Sequence, residues 1–187
     1  MAANGSHYDV VVIGSGPGGE GTAMQLVKNE KRVAVVEDYP EVGGGCTHWG
    51  TIPSKALRHA VQELADYRKH PIFQGKLGYV NVSYPEMLDS ASSVISEQSS
   101  MRRGFYFRNG VEVLRGRGRF VGAHDIEVVD PEGNADRISA DHVVVATGSI
   151  PYRPPEVDFT HPRVRDADTV LRSDMPDARS ITIYGLS

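Results

Sequence analysis

The loop from Gly43 to Lys55, GGGCTHWGTIPSK, brings together residue types that suit redox chemistry. Its Cys46 is the only cysteine in the chain, and a second cysteine five residues later would complete a Cys-x4-Cys pair. Such a pair carries two electrons as a disulfide. The residue at that position is Thr51, which forms neither a disulfide nor a thiolate at neutral pH. Any redox chemistry at this loop must therefore run without a thiol pair.

A glycine-rich turn, Gly14-x-Gly16-x-x-Gly19, is the second feature with chemical meaning. A turn of this spacing between a strand and a helix binds the pyrophosphate of a dinucleotide, because glycines let the phosphates approach the backbone and the helix N-terminus attracts anions. Glu37 lies 18 residues after Gly19, where a carboxylate accepts hydrogen bonds from a ribose diol. The pattern predicts dinucleotide binding without choosing between FAD and NAD.

Regular elements must position both features. The apolar run Tyr8–Gly14 predicts a buried parallel strand, followed by a helix that ends near Asn29. A second buried strand is predicted over Lys31–Glu37, which completes a βαβ unit. After the loop, the apolar stripe of PSKALRHAVQELADYRKH predicts a helix with Pro53 in its first turn.

The second half of the chain changes from helical to strand-like patterning. Ser83 and Glu86 form a capping box that predicts the start of a helix, and Asn109-Gly110 predicts its end. Three segments then alternate like strands and predict a β-meander that returns to a buried strand over Val143–Ala146: VEVLRGRGRFVG, DIEVVD and RISADHVVVATG. A short helix is predicted in DADTVLRSDMP and a final buried strand in SITIYG.

The composition favours a globular protein without a nucleic-acid partner. Hydrophobic residues make up 40% and charged residues 24%, and the formal net charge is −4. No apolar stretch approaches the roughly 20 residues that span a bilayer, and no signal peptide is recognisable, so we expect a cytoplasmic protein without a membrane partner. The histidines show no metal-ligand spacing, which predicts no metal site.

The loop, the glycine turn and two later segments resemble the pyridine nucleotide–disulfide oxidoreductase family of flavoproteins. The later segments are GRGRF, which resembles an adenine-contacting segment, and VVVATGS, which resembles a second flavin segment. The resemblance implies an α/β fold: a Rossmann-like FAD-binding domain with a parallel sheet and a β-meander. Lys55 would then be the catalytic residue, as a cation beside the flavin. The resemblance implies these cofactor-binding residues: Gly14, Gly16, Pro17, Gly18, Gly19, Glu37, Asp38, Gly44, Gly45, Cys46, Thr51, Lys55, Gly118, Thr147 and Gly148.

Thr51 departs from the pattern of the disulfide reductases, in which the matching cysteine relays electrons from the flavin. With His48 and Trp49, it makes the loop similar to a branch of the family that moves hydride between NADPH and NAD+ through FAD. NAD(H) and NADP(H) would be its substrates. Two alternatives remain: a flavoprotein like dihydrolipoyl dehydrogenase that lacks its redox disulfide, or a non-catalytic flavin-binding fragment.

The resemblance also implies a domain organisation. Residues 1–150 would form the FAD-binding domain, and residues 151–187 a connection and the first strand of a second, truncated Rossmann domain for NAD(P). The full-length protein would be a homo-oligomer that binds small nucleotides, and the isolated chain would lack most of the nicotinamide site.

Several residues keep two interpretations. Cys46 is either a passive remnant, which we favour, or a reactive thiol, and His48 and Trp49 either shape the flavin pocket or only pack. A cluster of arginines is predicted to form a solvated face or helix end rather than a phosphate or partner patch: Arg102, Arg103, Arg108, Arg115, Arg117 and Arg119.

Overall fold

A computed structural model describes residues 5–73, 80–172 and 178–185. Its strands are β1 (His7–Ile13), β2 (Val33–Glu37), β3 (Glu112–Arg115), β4 (Arg117–Phe120), β5 (Asp125–Val129) and β6 (Ala135–Val145). Its helices are α1 (Pro17–Lys28), α2 (Gly44–His48), α3 (Thr51–Lys69) and α4 (Tyr84–Arg108). The chain divides into two units, one of Met1–His48 with Ile95–Ile150 and one of Trp49–Val94 with Pro151–Ser187.

The first unit is built on one six-stranded sheet with the order β3-β2-β1-β6-β5-β4. The first four of these strands are parallel neighbours, with Val12 of β1 opposite Val35 of β2 and Val144 of β6. The predicted βαβ unit is confirmed: β1 and β2 are buried apolar strands joined by α1, which ends at Lys28 with Asn29 as its C-cap. Parallel strands covered on both faces need such continuous apolar runs.

The β-meander differs from the prediction at its first strand. The segment after Val111 is two strands rather than one, because β3 joins the parallel sheet beside β2 while β4 pairs antiparallel with β5. Gly116 separates them at φ +152°, and its N–H donates to the Glu37 carbonyl at 2.9 Å. The predicted strand Val143–Ala146 corresponds to the end of β6, which stops at Val145, but it is not buried: Val143 and Val144 are half-buried and Val145 is 63% exposed. Along its length β6 pairs with β5 first and with β1 afterwards.

Two apolar layers enclose the parallel strands. On one face, Ala23 of α1 and Tyr106 of α4 pack on the strands in a buried core of Val10, Val12, Ala23, Val33, Val35, Val42, Tyr106 and Val111. On the other face, residues of β5 and β6 pack on those of β1, β2 and β3 in a second core of Tyr8, Val11, Ala34, Val36, Leu114, Ile126, Val128, Ile138 and Ala140. The sheet is therefore buried on both sides, and the edge formed by its strand ends remains for a ligand.

The second unit contains α3 and the first part of α4. The capping box is confirmed, since the Ser83 N–H donates to Glu86 Oε2 at 2.7 Å and the Glu86 N–H to Ser83 Oγ at 3.4 Å. The predicted end of α4 is confirmed as well: the helix stops at Arg108, and Gly110 follows at φ +68°.

Two predictions for the second unit are not met. Residues 166–172 form turns rather than a helix, and residues 173–176 of that prediction lie outside the described residues. Residues 180–185 have no regular structure, and Ile181, Ile183 and Tyr184 are 72–93% exposed. A strand exists only where a neighbour accepts its backbone hydrogen bonds, and no described strand pairs with this segment.

Two kinds of feature are absent from the described residues. No helix in them is long and apolar enough to cross a membrane. No group of three or more His, Cys, Asp or Glu side chains within the same ranges is placed to hold a metal ion.

Candidate functional site

The candidate site lies where β1, β2 and β6 end at the same edge of the sheet. Gly14 follows β1, Glu37 closes β2 and Ala146 follows β6. The backbone joins these ends directly: the Gly14 N–H donates to the Val36 carbonyl and the Ala146 N–H to the Ile13 carbonyl, both at 2.8 Å. Since β1 is flanked by its sequence neighbour β2 and by the distant β6, this edge is a topological switch point, where α/β sheets bind ligands.

At three positions near this edge only glycine fits, because a Cβ atom would collide with the neighbouring backbone. Gly14 has φ +104°, and a Cβ there would collide with the Ala146 carbonyl oxygen. A Cβ on Gly19 would collide with the Gly14 carbonyl, which explains how closely α1 approaches β1. Gly44 has φ +60°, and a Cβ there would lie 2.7 Å from Gly16 Cα.

The N-terminus of α1 is open to an anion. Gly16 is its N-cap and forms no side-chain capping hydrogen bond, and Pro17 occupies the first turn. The first N–H groups of a helix have no partner within the helix, and its dipole adds about half a positive charge. Gly18 has no other atom within 4 Å of the Cβ position, so a bulky group has room to approach. These features fit a diphosphate.

Ser15 and Glu37 connect the turn to the end of β2. Glu37 Oε2 accepts hydrogen bonds from the Ser15 N–H at 2.9 Å and the Ser15 hydroxyl at 2.5 Å, and Oε1 accepts the Tyr39 N–H at 2.9 Å. Ser15 is fully buried, and its Oγ also accepts the Gly43 N–H at 2.9 Å. The carboxylate predicted to meet a ribose is therefore held in place by the glycine turn. Asp38, the next residue, is exposed.

The loop Gly43–Lys55 begins with two residues in the left-handed region, Gly43 at φ +121° and Gly44 at φ +60°. The buried Thr47 hydroxyl donates to the Gly43 carbonyl at 3.0 Å. Gly44, Gly45 and Cys46 occupy the short α2 and are half-buried. The helix thus presents Cys46 at the beginning of the loop that sequence reasoning assigned to a flavin.

His48 is one of the residues with two interpretations. Its Nε2 lies 3.0 Å from the Val42 carbonyl, and its ring centroid lies 4.6 Å from that of Tyr39. In this structure the His48 ring is therefore held by a hydrogen bond and by packing against a neighbouring ring.

The helix α4 holds this loop from the other side, a feature that sequence reasoning missed. The Ser99 hydroxyl lies 3.1 Å from Glu41 Oε2 and 3.2 Å from the Val42 carbonyl. Arg103 forms an ion pair with the same Glu41 oxygen. The contacts join residues about 60 positions apart, so no local pattern could indicate them.

Arg102 corrects the prediction that its arginine cluster is solvated. Its side chain is 15% exposed, and its Nε lies 3.1 Å from Glu20 Oε2 in the first turn of α1. Arg103 and Arg119 are mostly exposed, as expected, and form ion pairs with Glu41 and Glu127. Arg102 is largely shielded from solvent because its position on α4 faces α1.

Tyr106, one turn further along α4, is also buried beside this pair. Burial first, and then the negative charges of Glu20 and Glu37, raise the pKa of Tyr106 above its usual range. The side chain is 1% exposed, and its hydroxyl has no hydrogen-bond partner in residues 5–73, 80–172 and 178–185.

The remaining sequence-predicted residues lie in three places. Gly118 in β4 crosses the sheet end, where a Cβ would lie 3.3 Å from Val36 Cγ1 and 3.6 Å from Ile13. Thr147 and Gly148 follow β6 directly and are exposed, with Gly148 at φ +71°. Thr51 and Lys55 are exposed on the first turns of α3, in the second unit.

The comparisons with known proteins agree on one family. The family model for pyridine nucleotide-disulphide oxidoreductases matches residues 8–185. A soluble pyridine nucleotide transhydrogenase from Colwellia psychrerythraea is 49% identical over 178 residues, which are 95% of this chain and 38% of that protein. One of the same name from Escherichia coli K12 is 50% identical over 178 residues, with the same shares covered. The chain thus spans 38% of the length of these relatives. Its strand, glycine turn, helix and loop order, together with this match, place the chain in the pyridine nucleotide-disulphide oxidoreductase family.

Proposed function

We propose that the protein is an FAD-dependent transhydrogenase, which moves hydride between NADPH and NAD+, and that residues 1–150 of this chain bind the FAD. Residues 151–187 would connect this domain to a second one, for the nicotinamide nucleotides. The observation that carries the proposal is the loop Gly43–Lys55, which resembles a flavin loop of the family in its glycines and Lys55 but has Thr51 in place of a second thiol. The relatives that match 95% of the chain are named as soluble pyridine nucleotide transhydrogenases.

The residues at the sheet edge fit a dinucleotide such as FAD. The uncapped start of α1 would hold the diphosphate, and Gly16 and Gly18, whose Cβ positions have no protein atom closer than 3.9 Å, leave the backbone accessible to it. Glu37 would accept a ribose hydroxyl, because its carboxylate has about four lone-pair positions and three carry hydrogen bonds from Ser15 and Tyr39.

The protein's own residues have a limited chemical task in this reaction. When bound, FAD supplies the two-electron carrier between the two nicotinamide nucleotides. Lys55 would place a positive charge near the flavin, and Cys46 would act as a small side chain rather than as a nucleophile. No substrate proton needs to be removed, so the reaction demands neither a general base nor a thiol pair.

The decisive assay uses the full-length protein. We expect NADPH to reduce an NAD+ analogue, such as its acetylpyridine form, with FAD bound and without added lipoamide. Turnover of lipoamide without transfer between nucleotides would instead support the dihydrolipoyl dehydrogenase-like alternative.

A second measurement addresses this chain alone. Purified and incubated with FAD, it should acquire a flavin absorption spectrum and retain it through gel filtration. A colourless protein would contradict the assignment of FAD to residues 1–150.

A further inference from the structure

A buried ion pair joins the helix that begins at the glycine turn to α4. Glu20 lies in the first turn of α1, and its Oε2 is 3.1 Å from Arg102 Nε. The two side chains are only 20% and 15% exposed. Arg102 is held in this position by a second contact, since its NH1 donates to Gln98 Oε1 at 2.9 Å. A partly buried charge pair of this kind is screened less by salt than an exposed one.

The pair acts through charge more than through hydrogen bonding. Glu20 Oε2 and Arg102 Nε are both buried, and neither forms a directed hydrogen bond with any described residue, although they lie in ionic contact. The buried Tyr106 hydroxyl beside them also forms no hydrogen bond with any residue in the described ranges. Tyr106 belongs to the same buried core as Val12 of β1 and Val35 of β2, the strands that end at the sheet edge.

The position of Glu20 creates a conflict that Arg102 resolves. The start of α1 attracts anions because of its free N–H groups and its dipole. A carboxylate fixed in the same turn is a negative charge near the place where a diphosphate would bind, and like charges repel strongly where water is excluded. A guanidinium in contact with that carboxylate cancels its charge.

We propose that Arg102 is a positioning residue for the dinucleotide site: it neutralises Glu20, so that the α1 N-terminus keeps its affinity for the diphosphate. The inference rests on the proposed function, since it requires that this chain binds FAD. If Arg102 has this role, the substitution Glu20→Gln should lower the stability of the chain but raise its affinity for FAD. A purely structural ion pair would not couple these two effects with opposite signs.

The test compares Glu20→Gln with Glu30→Gln in the 187-residue chain. Both variants remove one negative charge near the same helix, Glu20 at its first turn and Glu30 just beyond its last. Glu20→Gln should bind FAD about two- to fivefold more tightly, the scale of a charge at a helix end. It should also unfold at lower urea concentration without ligand, because Arg102 is left buried and unpaired. Glu30→Gln should leave FAD affinity within about twofold of the wild type.

Substitutions of Arg102 complete the test. Arg102→Met should weaken FAD binding by about two- to fivefold or more, and Arg102→Lys, which keeps the charge, should restore most of the affinity. If Arg102→Met does not fold, the double variant Glu20→Gln/Arg102→Met removes both charges and should bind FAD within about twofold of the wild type.

The outcomes separate this inference from the function on which it rests. A wild-type chain that binds no FAD would overturn both. A wild-type chain that binds FAD while Glu20→Gln binds it equally or less tightly would overturn only the role of Arg102.

Discussion

Ser15 Oγ lies 2.5 Å from Glu37 Oε2 and accepts the Gly43 N–H at 2.9 Å. One buried hydroxyl therefore joins the turn after β1, the end of β2 and the loop that carries Cys46. Such a network is stable only when each member has its partners, because a buried polar group without one is costly. The geometry of the candidate site thus depends on the Glu37 carboxylate, which the proposed function also assigns to the ribose of FAD.

Replacement of Glu37 by glutamine should therefore lower both the stability of the fold and the affinity for FAD. Glutamine offers one acceptor oxygen for donors that now use two, so either a buried donor of Ser15 or the exposed Tyr39 N–H loses its hydrogen bond. We expect the free energy of unfolding to fall by about 1–3 kcal/mol. FAD affinity should fall at least about tenfold, as expected when a charge-assisted hydrogen bond is lost. Urea denaturation and flavin fluorescence titration measure the two effects.

The control is Glu132→Gln, which removes the same charge from an exposed turn between β5 and β6. It should change stability by no more than about 0.5 kcal/mol and leave FAD affinity unchanged. Equal effects of the two variants on FAD affinity would mean that overall charge, not the Glu37 carboxylate, controls binding.

A methyl group at Gly44 should disrupt the contact between the loop and the glycine turn. Gly44 has φ +60°, and a Cβ there would lie 2.7 Å from Gly16 Cα, which is backbone and cannot rotate away. Gly44→Ala should therefore lower the free energy of unfolding by about 2–4 kcal/mol, through left-handed strain together with the collision.

Gly133→Ala separates those two causes. Gly133 has φ +88° but nothing within 4 Å of its Cβ position, so only the strain applies. Its cost should be about 1–2 kcal/mol, and FAD affinity should not change. Thermal unfolding of both variants checks this, and losses of equal size would show that the Gly16–Gly44 approach is not tight.

Stability should fall at alkaline pH because of Tyr8. Burial, and then the hydrogen bond to Glu112 at 2.7 Å, raise the pKa of Tyr8 from 10.0 to about 12. Between these two pH values Tyr8 is ionised in the unfolded chain and protonated in the folded chain. The contribution of Tyr8 to the free energy of unfolding is therefore fully present below pH 10 and is lost as pH rises through about 12.

The measurement is the urea midpoint from pH 9 to 12 for the wild type and Tyr8→Phe. The variant should lose less stability across this range, although some loss remains because the pKa of Tyr106 is raised as well. Parallel curves for the two proteins would show that Tyr8 ionises normally in the folded state.

The parts of the fold that could be predicted from the sequence depend on local patterns. Apolar runs identified β1 and β2, and Ser83 with Glu86 identified the start of α4, because residues close in sequence determine these features. Gly116 was missed because the segment around it alternates like one strand, and only the partners β2 and β5 show that it is two.

The candidate site shows the same division. The glycines and Glu37 have spacings that local motifs reveal, whereas the Ser15–Glu37 bond spans 22 residues and Arg102 meets Glu20 across two helices. Burial of Arg102 depends on which face of α4 meets α1, and the arginine-rich composition around it suggested solvent instead. For the segment 180–185, an apolar run predicted a strand, but a strand also needs a partner.

The last prediction concerns Cys46, the only cysteine in the chain. If FAD exchanges hydride directly with nicotinamide nucleotides, Cys46→Ser should have little effect. FAD binding by this chain and hydride transfer by the full-length protein should both stay within about twofold of the wild type, a negligible free-energy change.

Two-electron reduction should bleach the flavin without a long-wavelength charge-transfer band, since such a band needs a thiolate beside the flavin and threonine at position 51 supplies none. Ser54→Ala, at an exposed serine of α3, is the control for a small change near the loop. A charge-transfer band in the wild type that Cys46→Ser abolishes would show that Cys46 contacts the flavin as a thiolate, and the passive role proposed for it would be wrong.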